Sequence, residues 1–256
     1  MEIAVFVKRV PMVGGKVVVT ADGQDVDTRM SGFTVSPHEE CAVEEAVQLT
    51  EREGGSVTVV TLGPPEAADQ LRDMLALGAH RALLLETDGR EWGPIATAAA
   101  LADAVARRAA SDAGPYDLLL FGNESAETGG FQVGIRVAHA LGLPAATGIK
   151  RLERTDGGLR ASREYRGVSE SYDLPLPAVI SVKEGINLPR YPSLPGRLRA
   201  KRAAIDRFAP QWQAEGLRKI GLRVPQEARK RAEVLGTGTD AVPALLALLD
   251  DLGVLP

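Results

Sequence analysis

Apolar positions follow two rhythms over the first 145 residues. Short runs at 3–7, 56–62, 81–85 and 117–121 predict buried strands, because a strand covered on both faces has no polar side to alternate with. Between them, helical spacing predicts helices over 37–53, 65–77, 93–112 and 130–142. In the second of these, Ala67, Leu71, Met74 and Leu75 share one face and Gly78 supplies the stop. Strand–helix alternation at this spacing requires right-handed crossovers and predicts an α/β fold with a doubly wound, mostly parallel sheet.

From Thr147 the pattern changes. Residues 149–154, 159–165 and 168–174 alternate apolar with polar, with Thr155-Asp156-Gly157-Gly158 and Arg166-Gly167 as turns, which predicts a small antiparallel meander. Residues 178–182 then return to a buried strand. Beyond Ile205 the α/β rhythm is lost, and 206–235 carry Pro210, Pro225 and many charges without a clear core face. Residues 240–252 predict a terminal amphipathic helix whose Val242, Leu245, Leu246, Leu249 and Leu252 need a partner to cover them. The expected organisation is an α/β domain over 1–205 and a C-terminal arm over 206–256 that packs on another subunit.

Composition narrows the classes. Aromatics are scarce at 4%, which suits helices on a parallel sheet better than a β-sandwich. A net charge of −4 with both signs interspersed gives no basic face for nucleic acid or an anionic membrane. Cys41 is the single cysteine, which excludes an internal disulfide and a Cys-based zinc site. No apolar run reaches membrane-spanning length, and Met1-Glu2-Ile3-Ala4-Val5 opens a strand rather than a signal peptide, so a cytoplasmic protein without direct membrane insertion is expected.

In an open parallel sheet, ligands bind at the carboxyl ends of the strands. Lys8-Arg9-Val10-Pro11 leaves the first strand with a basic pair. Ser36-Pro37-His38-Glu39 precedes the first helix as a capping box, with Ser36 as N-cap, Pro37 at N1 and Glu39 at N3. After the fourth strand comes Gly122-Asn123-Glu124-Ser125-Ala126-Glu127-Thr128-Gly129-Gly130, leading into a helix that begins near Phe131-Gln132-Val133. Its glycines allow close approach of a ligand, Ser125 and Thr128 add hydroxyls, and free N–H groups at a helix start favour phosphate. It is not a Walker loop, Gly-x-Gly-x-x-Gly is absent from the first turn, and Glu124 and Glu127 repel a triphosphate unless they face away. A bound mono- or dinucleotide fits better than ATP hydrolysis, and a plain connection fits as well.

Catalytic constellations are missing. His38, His80 and His139 lie far apart, Cys41 reads as a small core residue, and the adjacent Glu44-Glu45 do not face each other on a helix. The residues alone therefore predict no catalytic site. A further segment carries chemistry of another kind. Ile186-Asn187-Leu188-Pro189-Arg190-Tyr191-Pro192-Ser193-Leu194-Pro195 is stiffened by its prolines and cannot be a central strand. It predicts an exposed loop presenting Leu194 beside the basic turn at 197–202.

These motifs together resemble the beta subunits of electron-transfer flavoproteins. Val7-Lys8-Arg9-Val10-Pro11 is similar to that family's opening, with Met12 where Asp is usual. Ser36-Pro37-His38-Glu39-Glu40-Cys41-Ala42-Val43-Glu44-Glu45-Ala46 is similar to Asn-Pro-x-x-Glu-x-Ala-Val-Glu-Glu-Ala, with Ser36 replacing Asn. Leu75-Ala76-Leu77-Gly78-Ala79, the 122–134 loop, Leu176-Pro177-Ala178-Val179 and the Pro-bracketed loop fit in the same order, so the likeness covers about residues 1–203.

The resemblance implies a Rossmann-like, adenine-nucleotide-binding fold in a heterodimer whose alpha subunit holds the redox FAD. It implies AMP in this subunit, or a second FAD in electron-bifurcating relatives, touching Phe6, Lys8, Ser36, Pro37, His38, Glu39, Leu62 and the loop from Gly122 to Val133. It further implies that Leu194 anchors in an apolar pocket of flavin dehydrogenases, with Asn187, Pro189, Arg190, Tyr191 and Pro195 around it, and that Glu164 can pair with the flavin domain. A quinone oxidoreductase or another acceptor would take the electrons. The Gln132-Val133-Gly134 end of the loop leans towards the bifurcating branch, while Gly129, Gly130 and Phe131 depart from it. A stand-alone nucleotide-binding module is the competing class, although it has no need of the Pro-bracketed loop or an apolar terminal helix.

Overall fold

A computed structural model of the protein describes residues 1–12, 17–214, 216, 219–225 and 232–254. Several residues of the expected arm (215, 217–218, 226–231 and 255–256) therefore lie outside the described residues.

The chain begins with β1 (Glu2–Phe6), a two-residue pair β2 (Val10–Pro11) and β3 (Phe33–Thr34), and α1 (Pro37–Glu53). It continues through β4 (Ser56–Gly63), α2 (Ala68–Leu77), β5 (Arg81–Glu86), α3 (Pro94–Ala109), β6 (Leu118–Gly122) and α4 (Val133–Leu141). Then come β7 (Ala145–Ile149), β8 (Arg151–Thr155), β9 (Gly158–Tyr165), β10 (Val168–Leu174), β11 (Ala178–Val182), α5 (Leu194–Arg202), β12 (Asp206–Phe208) and α6 (Val242–Asp251). A seven-stranded sheet in the order β12-β5-β4-β1-β6-β11-β7 is parallel throughout, and β10-β9-β8 form a separate antiparallel sheet.

Alternation within the strands explains why these runs are apolar throughout. Ile3 and Val5 of β1 point into one core, under α1 and α2, while Ala4 and Phe6 point into the other, with α3 and α4. Leu118 and Leu120 of β6 join the first core and Leu119 and Phe121 the second, and all four are buried. The strand order reverses at β1, whose neighbours are β4 and β6, so the carboxyl ends of these three strands frame the crevice where ligands bind in such sheets.

Four features differ from the sequence pattern. Residues 145–149 form β7 and pair in parallel with β11, so the meander starts at Arg151. Residues 65–67 form a 3-10 turn ahead of α2, and α4 starts three residues later than its apolar spacing predicts. Past Ile205 the α/β rhythm continues for one more strand, β12, which lies parallel to β5. Three residues are too few to display a period. Arg207 pairs with Glu86 at 2.7 Å, so the strand carries its charge on the sheet's edge.

The described residues fall into two compact units, one of Met1–Lys16 with Asp27–Ile220 and one of Val17–Val26 with Gly221–Pro256. In the second, the Leu222 N–H donates to the Gly23 carbonyl at 2.7 Å, and α6 exposes Val242, Leu245, Leu246 and Leu248, with Leu252 exposed just past its end. Among the described residues, no helix is long and apolar enough to cross a membrane.

Candidate functional site

At the strand-end crevice the local sequence sets the geometry. Ser36 Oγ accepts from the Glu39 N–H at 3.2 Å and Glu39 Oε2 accepts from the Ser36 N–H at 2.9 Å, completing the capping box, with Pro37 at the first helical position. Burial pushes the Glu39 carboxyl up to about 7, against the opposing pull of the Ser36 and Lys8 N–H groups. Gly122, at the end of β6, passes so close that a Cβ there would lie 2.8 Å from Glu39 Cγ and 3.3 Å from His38 Cβ. Below the crevice, the in-register rings of Phe6 and Phe121 stack with centroids 4.3 Å apart. Leu62, part-buried at the end of β4, packs against the same core.

The loop after β6 is tied down at both ends. Asn123 donates its N–H to the Val182 carbonyl at 2.9 Å, Ser125 to Gly130 at 2.9 Å, and Gly129 to Ser125 at 2.8 Å. Gly129 has φ +62, the left-handed conformation that glycine accepts without strain. Two side chains of the crevice face the loop's carboxylates: Lys8 Nζ pairs with Glu127, and His38 Nε2 lies 3.7 Å from Glu124. His38 Nδ1 accepts the Glu184 N–H at 2.7 Å, which leaves the ring proton on Nε2, facing Glu124. The Ser125 hydroxyl is buried without a hydrogen-bond partner. Ala126, Glu127, Thr128 and Gly129 are exposed, as is Phe131, and Gln132 Oε1 accepts from the Arg136 guanidinium at 2.9 Å just before Val133 opens α4.

These residues fit a phosphate-bearing ligand. The loop's Ser125 hydroxyl is orphaned, the Lys8 ammonium rests on a carboxylate that an incoming anion can replace, and the His38 imidazole N–H faces a second carboxylate. The crevice brings together Phe6, Lys8, the 36–39 turn, Leu62 and the loop from Gly122.

The Pro-bracketed segment is a second, separate region. Arg190 forks onto α1: Nε and Nη2 reach the two oxygens of Glu44 at 2.9 and 3.0 Å, and Nη1 and Nη2 reach those of Glu51 at 2.6 and 3.0 Å. Its backbone N–H adds a bond to Glu44 at 3.1 Å. Burial pushes the Glu44 carboxyl up, but hydrogen bonds from Arg190 and Gln48 outweigh it and hold the group below its ordinary value. Asn187 Nδ2 donates to the Cys41 carbonyl and to Glu45 Oε2, each at 3.0 Å. Pro189 is part-buried between these two tethers.

Tyr191, Leu194 and Pro195 face outward instead, Tyr191 at 95% and Leu194 at 71% exposure. Glu164 is exposed on β9, opposite Ser169 of β10. The roles of Glu44, Glu45 and Glu51 are invisible in the local pattern, since Arg190 lies 139 to 146 positions away; the seven-residue spacing of Glu44 and Glu51, which puts both on one helix face, was the available signal.

The family described as the electron transfer flavoprotein domain matches residues 26–211. The chain is 35% identical to the electron transfer flavoprotein subunit beta of Bacillus subtilis over 176 residues, 68% of this chain and 66% of the relative. It is 32% identical to the corresponding subunit of Mycobacterium leprae over 245 residues, 91% of this chain and 90% of the relative. The mitochondrial electron transfer flavoprotein subunit beta of Oryza sativa is 35% identical over 217 residues, 82% of this chain and 83% of the relative.

Proposed function

The chain belongs to the electron transfer flavoprotein beta-subunit family, and we propose that it is the beta subunit of a heterodimeric carrier that moves electrons from flavin dehydrogenases to a quinone oxidoreductase or similar acceptor. The observation that carries this reading is the family match over 26–211, which contains both the 122–133 loop and the segment ending in Leu194. The redox FAD belongs mainly to the alpha subunit and supplies one-electron and two-electron chemistry when bound. This chain contributes no acid, base or nucleophile to that chemistry. Its residues bind, orient and dock, in the cytoplasm.

In the strand-end crevice we place AMP as a structural ligand. Ser125 Oγ and the Lys8 ammonium would hold its phosphate, with Lys8 released from Glu127, and His38 would serve the same anion through Nε2. A second FAD at this place is the alternative. The Gly134 that favours it in the sequence has a packing explanation, since a Cβ there would sit 3.1 Å from both the Phe121 ring and Ser181 Oγ. Leu194 would anchor the dehydrogenase; burying one leucine contributes roughly 1.5–3 kcal/mol, which sets register without a long stay.

The deciding experiment is the nucleotide content of the complex purified with its alpha subunit and released by heat. One FAD and one AMP per heterodimer establishes the simple carrier. Two FAD without AMP replaces AMP with a second flavin and makes bifurcation the mechanism. A chain that purifies without flavin or partner is a stand-alone nucleotide-binding module.

A further inference from the structure

Apolar packing does little to hold the segment that presents Leu194. A cleft of about 600 Å³ separates it from the body of the domain, bordered by Glu51, the end of α2 near Gly78, His80, Arg190, Tyr191 and Arg199. The attachments on either side of the cleft are specific. Upstream, Asn187 and Arg190 make the polar contacts to α1 described above. Downstream, α5 is pressed against α2 at Gly196, where a Cβ would lie 2.7 Å from the Ala76 carbonyl, and Arg72 caps the far end through the Ala200 and Ala203 carbonyls at 3.2 and 3.3 Å. Tyr191 and Leu194 lie between these fixings, with their side chains in solvent.

We infer that Arg190, locked by Glu44 and Glu51 and seconded by Asn187 on Glu45, is a positioning residue that holds the docking segment in its partner-ready shape before any partner arrives. The inference rests on the docking role proposed for Leu194 and adds the device that makes it work. Arg190 spends its guanidinium inside the chain: four of its side-chain hydrogen bonds go to α1, two of them to a carboxylate that is 4% exposed. A fork of this kind fixes direction as well as distance, which a lysine in its place would not do. An encounter that buries little area tolerates little ordering cost, so a segment already ordered binds faster and tighter than one that must settle on contact.

The test uses the heterodimer with its FAD, a flavin dehydrogenase that reduces it, and two readouts: the steady-state KM and kcat for the carrier, and amide hydrogen exchange over 186–193. Arg190→Gln and the milder Arg190→Lys should both speed exchange across the segment and raise KM, by about fivefold or more for Gln and less for Lys, with kcat unchanged. Leu194→Ala should raise KM with exchange unchanged. Faster exchange in the Arg190 variants without a change in KM would overturn the positioning role. A higher KM without faster exchange would overturn it too, since Arg190 would then be touching the partner itself. A Leu194→Ala complex with normal KM would instead remove the docking reading, whatever Arg190 does.

Discussion

The loop at 122–130 and the segment at 187–194 both use basic groups held by glutamates, yet the two sets of contacts are of different kinds. At the first, Lys8 and Glu127 are partly open to water at 47% and 31% exposure, so either can leave its partner for a ligand at small cost. At the second, Glu44 is 4% exposed and takes three hydrogen bonds from Arg190, so parting the pair would strand a buried carboxylate. Solvent access, more than charge, separates an exchangeable contact that suits a binding site from a fixed one that suits a scaffold.

The largest effect that would break this comparison is at Glu44. Glu44→Ala leaves Arg190 with Glu51 alone and should lower the free energy of unfolding by about 2 kcal/mol, read from chemical denaturation. Gly122→Ala should follow at about 1–2 kcal/mol, because the new methyl meets Glu39 and His38. It should also reduce the nucleotide retained on purification, since the 36–39 turn has to shift.

Glu39 sharpens the contrast through pH. Its carboxyl rises from an ordinary 4.5 to about 7 on folding, so between these values the folded chain holds a proton that the unfolded chain has released. The stability this proton linkage contributes is fully present below 4.5 and is lost as pH rises through about 7. Glu44 and Glu51, both lowered, contribute in the opposite sense, losing their share as pH falls. Denaturation midpoints of Glu39→Gln against the native chain should therefore show the native chain losing ground as pH climbs through neutrality; parallel curves would refute the buried-acid description.

The smallest stability effect belongs to the exposed pair. Lys8→Gln and Glu127→Gln should each change stability by less than ~0.5 kcal/mol. Their effects on nucleotide retention should diverge, with Lys8→Gln weakening it and Glu127→Gln strengthening it. Equal loss in both would mean that the pair holds the loop's shape and does not yield to phosphate.

What the sequence revealed and what it hid follow one physical divide. The capping box at Ser36–Glu39 was readable because its two hydrogen bonds join residues three apart. Buried strands β1, β4, β5 and β6 were readable because burial on both faces leaves a continuous apolar run. Strand β7 was hidden because Ala145-Ala146-Thr147-Gly148 is small-residue sequence with a glycine and shows no apolar run, while alternation gave Ile149 to the meander that follows. The pairings of Lys8 with Glu127 and Arg190 with Glu44 were hidden because nothing local distinguishes a charge that will meet its opposite more than a hundred residues away. Asn187 and Arg190 were legible as part of a special loop, while the direction in which they point was not.

Strand β12 bears on where the chain can be cut. Its three residues cover the outer edge of β5, and the stretch behind them is fastened by Arg107 over the Phe208 ring, by the Trp212 indole on the Glu91 carbonyl at 3.2 Å, and by Lys219 on the Glu91 side chain at 3.3 Å. A fragment ending at Ile205 would bare a row of unpaired amides and carbonyls beside Leu83, Leu84 and Leu85, a template on which other chains can add strands. A fragment carried on to Ile220 would keep that edge closed. The stretch from Asp206 to Ile220 thus acts as a hem, protecting the sheet from its own copies.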